Sequence, residues 1–336
     1  MLTSELQNNV NNYISIYTEL KKQLKWKIAH EGLLMLTASA YIVNKREFDF
    51  RRFYDLSNYI KANVGMFSTL NSHHRFTIAS ILDIHFQDKA KEQFRAFSDL
   101  YEDMLKQGFK RDIFTYLSAL IVLTGKSEQK TATEIMSGAS SIYQVMKQQH
   151  YFLTSTQNYP FAVMLAGIDK EKTALMEQAE SFYQKLSAAG FKKGQNLQFL
   201  SQILALHQEK DTDELASRCH KMFRSINELY KKPKDIHYPD IGLLTFLEEP
   251  EKDISTVIET VKLLNKEKAL KWHKDINFKI AVSLFMGDTI EKNLIAESGL
   301  YAVIETVLQA QQAASTAAII STTAAAHSAH HSSGTN

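Results

Sequence analysis

Apolar and polar positions alternate along this chain in two distinct helical patterns. Short stretches apolar on nearly every side recur at Leu33–Val43, Phe76–Phe86, Phe114–Leu123, Phe161–Ile168, Phe199–Leu206, Ile241–Leu247 and Phe278–Met286. A polar turn follows each, such as Asn44-Lys45-Arg46 or Gln87-Asp88-Lys89. A longer stretch with a single apolar face comes next: Phe94, Phe97, Tyr101 and Leu105 in one case, Ile254, Val257, Ile258, Val261 and Leu264 in another. Spacings of three and four belong to helices, not strands. The first kind of helix should be buried on most sides, and the second should keep a face in water. Ahead of them, Leu6, Val10, Tyr13, Tyr17, Leu20 and Leu24 share one face of an N-terminal helix, with Ser4 and Gln7 placed as a capping box. Strand and hairpin signals are weak throughout.

The alternation has a period. Seven aromatics, Trp26, Phe67, Phe109, Phe152, Phe191, Tyr230 and Trp272, follow one another at intervals of 39 to 43 residues. Small residues open the apolar runs in step with them: Ala38, Ala79, Ser118, Ala162, Ser201, Gly242 and Ala281. A period of this size marks stacked supersecondary units. The expected fold is therefore all-α: helical hairpin repeats of about 40 residues stacked as an α-solenoid or a compact helical array. About fifteen helices are expected. Residues 1–24 would form an N-terminal capping helix, and 25–304 seven helical-hairpin repeats in one domain. Residues 305–336, rich in Ala, Ser, Thr and His, would form a helix near Leu300–Leu308 fading into a disordered tail. All four prolines, Pro160, Pro233, Pro239 and Pro250, are expected between helices. Gly65, Gly108 and Gly190 stand where left-handed C-cap residues belong. Whether the array is open or closed on itself is not fixed by the pattern.

The segment from Leu24 to Ile84 resembles a family of uncharacterised proteins from low-GC Gram-positive bacteria, catalogued as a domain of unknown function. The run Ile60-Lys61-Ala62-Asn63-Val64-Gly65-Met66-Phe67 carries the likeness, with Arg75-Phe76-Thr77-Ile78-Ala79 after it. Gln309-Ala310-Gln311-Gln312-Ala313-Ala314 extends it toward the tail. The resemblance implies a cytoplasmic bacterial protein and brings no catalytic residues with it. The His-rich end, His327 to His331, departs from the family's Ser-rich end.

Composition narrows the chemistry. The net charge of +2 over 336 residues leaves no large excess of Lys and Arg with which to displace counterions from a polyanion. A single cysteine, Cys219, excludes an intramolecular disulfide and a cysteine zinc cluster. The polar N-terminal segment lacks a signal-peptide core, and no run of about 20 apolar residues suggests a membrane span. A cytoplasmic protein without membrane insertion is expected.

Each candidate site has a structural counterpart. Thr124-Gly125-Lys126-Ser127 mimics the end of a phosphate-binding loop, but Leu120 stands where that motif needs glycine and a helical run precedes it. Twelve histidines show no metal-ligand spacing, so no metal and no cofactor is expected, although the tail histidines His327, His330 and His331 form a metal-prone tract. Cys219 lies on an apolar helix face beside Met222 and Phe223, as a core thiol does. The seven aromatics read either as exposed stacking platforms or as rings packed back onto helix ends next to Gly caps; the second is expected. Basic residues flank them: Lys25, Lys27, Arg75, Lys110, Arg111, Lys192, Lys193, Lys231, Lys232 and Lys271. If the units stack in register, these residues share one edge. Lysines near helix C-termini are also favoured by the helix dipole alone.

With no catalytic constellation visible, the expected function is a non-catalytic scaffold that binds a protein or peptide. The alternatives are a nucleic-acid binder using the basic edge, and an enzyme or small-molecule sensor with a pocket between helix layers. Partner identity and oligomeric state are not encoded in any motif.

Overall fold

The computed structural model describes residues 3–28, 31–125, 130–168, 170–207, 211–247 and 250–291. These residues are helical, with no strand among them. In chain order the helices are α1 (Ser4–Leu24), α2 (Glu31–Val43), α3 (Phe50–Ala62), α4 (His74–Phe86), α5 (Ala90–Lys106), α6 (Ile113–Thr124) and α7 (Ala132–Gln149). Then follow α8 (Tyr159–Gly167), α9 (Lys172–Ala188), α10 (Gln195–Ala205), α11 (Thr212–Leu229), α12 (Tyr238–Thr245), α13 (Pro250–Lys266) and α14 (Lys274–Glu291). The expected tail, the helix near Leu300–Leu308 and His327, His330 and His331 lie outside the described residues.

The two patterns in the sequence become two kinds of neighbour. The even-numbered helices are the apolar ones, and all but α14 have 13 residues or fewer. In α2 every residue from Gly32 to Tyr41 is buried, and in α6 every residue from Ile113 to Ile121. Each packs on the next even helix, with Phe161 stacking on Phe199 to join α8 and α10. The odd-numbered helices bury one stripe each, such as Phe94, Phe97, Tyr101 and Met104 in α5. One continuous apolar core runs from Leu6 to Met286. The last described helix, α14, returns to pack on α2 and α1.

The small residues allow close approach. Ala38, Ala79, Ser118, Ala162, Ser201, Gly242 and Ala281 are all buried. A Cβ on Gly242 would stand 2.8 Å from Leu200 Cδ1. Ser118 and Ser201 satisfy their buried hydroxyls by donating to the carbonyls of Phe114 and Leu197, one turn back.

Several local expectations are corrected. The N-cap of α1 is Thr3, whose hydroxyl accepts from the Leu6 amide, and not Ser4. Pro160, Pro239 and Pro250 lie in the first turns of α8, α12 and α13, where a missing N–H leaves no bond unmade. Of the three expected capping glycines, Gly108 and Gly190 take left-handed backbone, with φ of 92° and 95°, and Gly65 does not.

At the end where even helices finish, Asp83 of α4 is fully buried and tied to its neighbours. Arg52 of α3 donates to both carboxylate oxygens, at 2.5 and 3.1 Å, and Tyr41 of α2 donates at 2.7 Å. At that same end Lys45, just past α2, stands 3.8 Å from Glu5 of α1.

Candidate interaction face

The seven connections that lead from an odd helix into an even one lie side by side, because hydrogen bonds tie each to the neighbouring connection or to a helix beside it. Lys27 donates to the Tyr54 hydroxyl on α3. Ser68 meets the Tyr116 hydroxyl at the start of α6, 3.1 Å away. The Lys110 amide donates to the Tyr159 hydroxyl, and Thr156 donates to Asp112 at 2.6 Å. Asn158 donates to Gln198 at 3.2 Å, and Gln198 donates to Thr154. The Lys192 amide donates to Tyr238 at 2.9 Å, and its ammonium pairs with Asp235. Lys234 pairs with Asp275 at 2.5 Å. His273 meets Glu31 at 2.9 Å, which brings the seventh connection back to the first. Apart from Lys27–Tyr54, which are 27 residues apart, and the last, which spans 242, these links join residues about 40 to 50 apart.

This face carries the aromatic register, and the register divides. Phe109 and Phe191 are buried, as expected. Tyr230 is half-buried. Trp26, Phe67, Phe152 and Trp272 are 90, 98, 97 and 82 % exposed, so the expectation that all seven pack inward is overturned. Met66 and Tyr151 stand exposed beside them. The cause is local backbone. Gly108 in left-handed conformation lets the Phe109 amide reach the Met104 carbonyl and its own amide the Leu105 carbonyl. Gly190 does the same for Phe191, with Leu186 and Ser187. This double bond pattern turns the next residue back against the helix. Trp26, Phe152 and Trp272 have no glycine before them, and Gly65, two residues ahead of Phe67, is not left-handed. Those rings project into water.

The basic residues share the face but differ in what they touch. Lys25 lies over the Trp26 ring at 5.2 Å, and Lys271 over Trp272 at 5.0 Å. Lys110, Arg111, Lys193 and Lys232 are exposed. Lys192 is exposed and paired with Asp235. Lys231 is half-buried, over the Tyr230 ring and 3.8 Å from Asp275. Lys27 is held by Tyr54, whose hydroxyl pKa this bond lowers. Arg75 sits partly buried in the first turn of α4, bonded to the Asn71 and Ser72 carbonyls of the adjoining connection and lying over Phe76. Over segments 25–28, 63–73, 107–112, 150–158, 189–194, 230–237 and 267–273 there are eleven Lys and Arg against three acids. That surplus of eight compares with two for the whole chain, so the remainder is net acidic. Phe109 and Phe191 precede Lys110-Arg111 and Lys192-Lys193, and Tyr230 precedes Lys231-Lys232. The connections holding Phe67 and Phe152 carry no Lys, Arg, Asp or Glu.

A titratable cluster lies beneath the face, between α12 and α14. Lys279 donates to Asp240 at 3.2 Å and to the Ile236 carbonyl at 2.9 Å. His237 is buried, its Nδ1 accepting from the Lys234 amide and its Nε2 3.6 Å from Asp275. Burial first, and then the nearby Lys279 charge, push His237 down to about 3. Burial works against Asp275, but the Lys234 hydrogen bond and the charges of Lys234 and Lys231 hold its carboxyl below the ordinary range. His237 is thus a neutral packing residue, its ring against Phe278 at 4.7 Å.

The other candidates are structural. Gly125 ends α6, its amide bonded to the Ile121 carbonyl; Lys126 and Ser127 lie outside the described residues. Burial pushes the Cys219 thiol up to about 12 and His74, beside His73, down to about 4. No group of three His, Cys, Asp or Glu gathers as metal ligands among the described residues. Between α7, α9 and α10 a recess lined by His150, Glu180, Tyr183 and Gln202 has room for about one water. No described helix is long and apolar enough to cross a membrane.

Residues 16–313 match the family model described as a protein of unknown function, DUF4003. The chain is 62% identical over 315 residues to the uncharacterized protein YeaA of Bacillus subtilis (strain 168), covering 94% of this chain and 95% of that protein. No solved structure matches. Matched along most of its length, by a family model and by a relative of nearly equal extent, the chain belongs to the DUF4003 family.

Proposed function

We propose that this protein is a non-catalytic interaction scaffold. After the capping helix α1, hairpins of about 40 residues, each an apolar helix followed by an amphipathic one, repeat from α2 onward, and α14 returns to close them into a ring. The odd-to-even connections form its docking edge, with Lys25, Lys27, Lys110, Arg111, Lys192, Lys193, Lys231, Lys232 and Lys271 on it. One observation carries the reading. Four large aromatics are 82–98 % exposed on one laced face that also holds a surplus of eight positive charges. A chain that buries or half-buries most of its described rings gains nothing by leaving these four, with Tyr151, in water unless something covers them. The lone cysteine supports a cytoplasmic setting.

Photo-cross-linking in living cells tests it. A photoreactive phenylalanine at position 67 or 152 should capture a defined partner, while one at exposed Glu102 on α5 should not. Equal capture at all three positions, or none at any, would sink the proposal.

A further inference from the structure

We infer that the docking edge is an anionic-membrane contact surface, seated on lipid headgroups rather than on a protein. The inference rests on the docking reading above and names the partner. Three observations favour lipid. First, the exposed rings protrude from separate connections. Trp26, Phe67, Phe152 and Trp272 are 82–98 % exposed on four of them, each tryptophan under its own lysine and Phe152 edge to face with exposed Tyr151. A stacking platform for nucleic-acid bases lies against the protein and offers one face, and a protein hot spot is a packed cluster. Separated tips around one end suit a plane that takes each ring independently.

Second, both tryptophans carry a lysine. Lys25 over Trp26 and Lys271 over Trp272 place an indole and an ammonium at one depth. Neither lysine makes an ion pair with a described carboxylate. Indoles settle at the headgroup level of a bilayer, and lysines there meet anionic lipid. His273 of the seventh connection bonds Glu31, so these two Trp-Lys pairs belong to adjoining connections.

Third, charge complements the rings around the circuit. The connections with buried or half-buried rings present Lys110-Arg111, Lys192-Lys193 and Lys231-Lys232, and the uncharged ones present Met66-Phe67 and Tyr151-Phe152. With the remainder of the chain net acidic, an anionic surface attracts this end and repels the others. Contact is peripheral, since no described helix can cross the bilayer.

The chain's only two tryptophans, Trp26 and Trp272, both lie on this face, so intrinsic fluorescence reports it alone. The full chain is titrated with vesicles of phosphatidylglycerol and phosphatidylcholine, and with phosphatidylcholine alone. Anionic vesicles should shift the emission to the blue, and lipids brominated on the acyl chain should quench it. High salt should reverse the shift. Phe67→Ser and Phe152→Ser should each weaken partitioning by about tenfold. Lys110→Gln, Lys193→Gln and Lys232→Gln should each cost about fivefold. Lys89→Gln, at the other end of the helices, should change nothing. Circular dichroism checks that every variant is folded.

No spectral shift with any vesicle overturns the inference, as does equal binding to neutral lipid or partitioning indifferent to the two serine variants. A larger shift with a single-stranded oligonucleotide than with anionic vesicles replaces lipid by nucleic acid. Protein cross-links at position 67 without vesicle binding remove the lipid and leave the docking edge standing.

Discussion

Phe109 meets Tyr159 edge to face, with ring centroids 4.8 Å apart, and the tyrosine hydroxyl takes the backbone N–H of Lys110. Phe191 and Tyr238 repeat the arrangement at 4.9 Å, with the Lys192 amide as donor. In each case a glycine-capped helix end is fastened to the first residue of the even helix after next. The same register position therefore serves as a bolt in two connections and as an exposed tip in four.

Phe109→Ala should be strongly destabilising, by about 3–5 kcal/mol, through loss of a buried ring and the cavity left behind. Phe67→Ala should stay within about 0.5 kcal/mol of the parent, since an exposed ring has few contacts to lose. Urea unfolding followed by circular dichroism compares the two. Similar midpoints for both variants would contradict the division of the register.

Glycine substitutions separate backbone strain from packing. Gly108→Ala and Gly190→Ala put a side chain into left-handed backbone and should cost about 1–2 kcal/mol each. Gly65→Ala has open space and ordinary backbone, so it should be neutral or slightly stabilising. Gly242→Ala drives a Cβ into Leu200 and Ile203 and should cost about 1–3 kcal/mol by overpacking. The four melting temperatures give the order directly.

Stability should fall as the solution is acidified below pH 6.5. His237 has a folded pKa near 3, below its ordinary 6.5, so the unfolded chain takes up the proton first. Its contribution is complete above pH 6.5 and drains away toward pH 3, at a limiting slope of about 1.4 kcal/mol per pH unit. His237→Asn keeps an acceptor for the Lys234 amide and removes the titration. Its urea midpoint should therefore be flatter over that range than the parent's.

The contact that joins the seventh connection to the first is also acid-sensitive. Burial opposes ionisation of Glu31, but hydrogen bonds from Lys21, His273 and Tyr17 outweigh it and lower its pKa below 4.5. A depressed carboxylate stabilises above its unfolded pKa and loses that effect as the pH falls through the folded one. Glu31→Gln should cost about 1 kcal/mol or less near neutrality, because the group is partly exposed, and nothing in strong acid. A deficit that persists unchanged below pH 3 would show that shape, not charge, holds the contact.

Cys219 should be inert in the folded protein. It is buried, and its thiol is pushed up to about 12, so little thiolate exists at pH 8. A thiol reagent should react only after urea unfolds the chain; rapid labelling of the native protein would place the thiol at the surface.

Much of the architecture was legible because helical periodicity is a local property. The apolar stretch Phe114–Leu123 and the one-sided face of Phe94, Phe97 and Tyr101 announce their burial in the order of residues. The lysines of the edge were legible for the same reason: a connection between two helices is a short segment. What holds Arg75 was not legible, because its bonds to two loop carbonyls depend on how the connection folds back. Burial of Trp26, Phe67, Phe152 and Trp272 is the expectation that fails, because size and period favour burial while only Phe67 of the four has a glycine close before it, and that glycine is not left-handed.

By itself the sequence determined helix type, helix order and the period, since each follows from side-chain hydrophobicity repeating at 3.6 residues per turn. The tertiary structure decided that α14 reaches α2 and that Glu31 receives His273 from 242 residues away. It also decided which rings turn inward. Return of the last helix depends on small rotations accumulated between neighbouring units, and no single segment encodes their sum. The direction of each ring depends on whether a glycine takes left-handed backbone and whether a tyrosine such as Tyr159 stands ready to receive it.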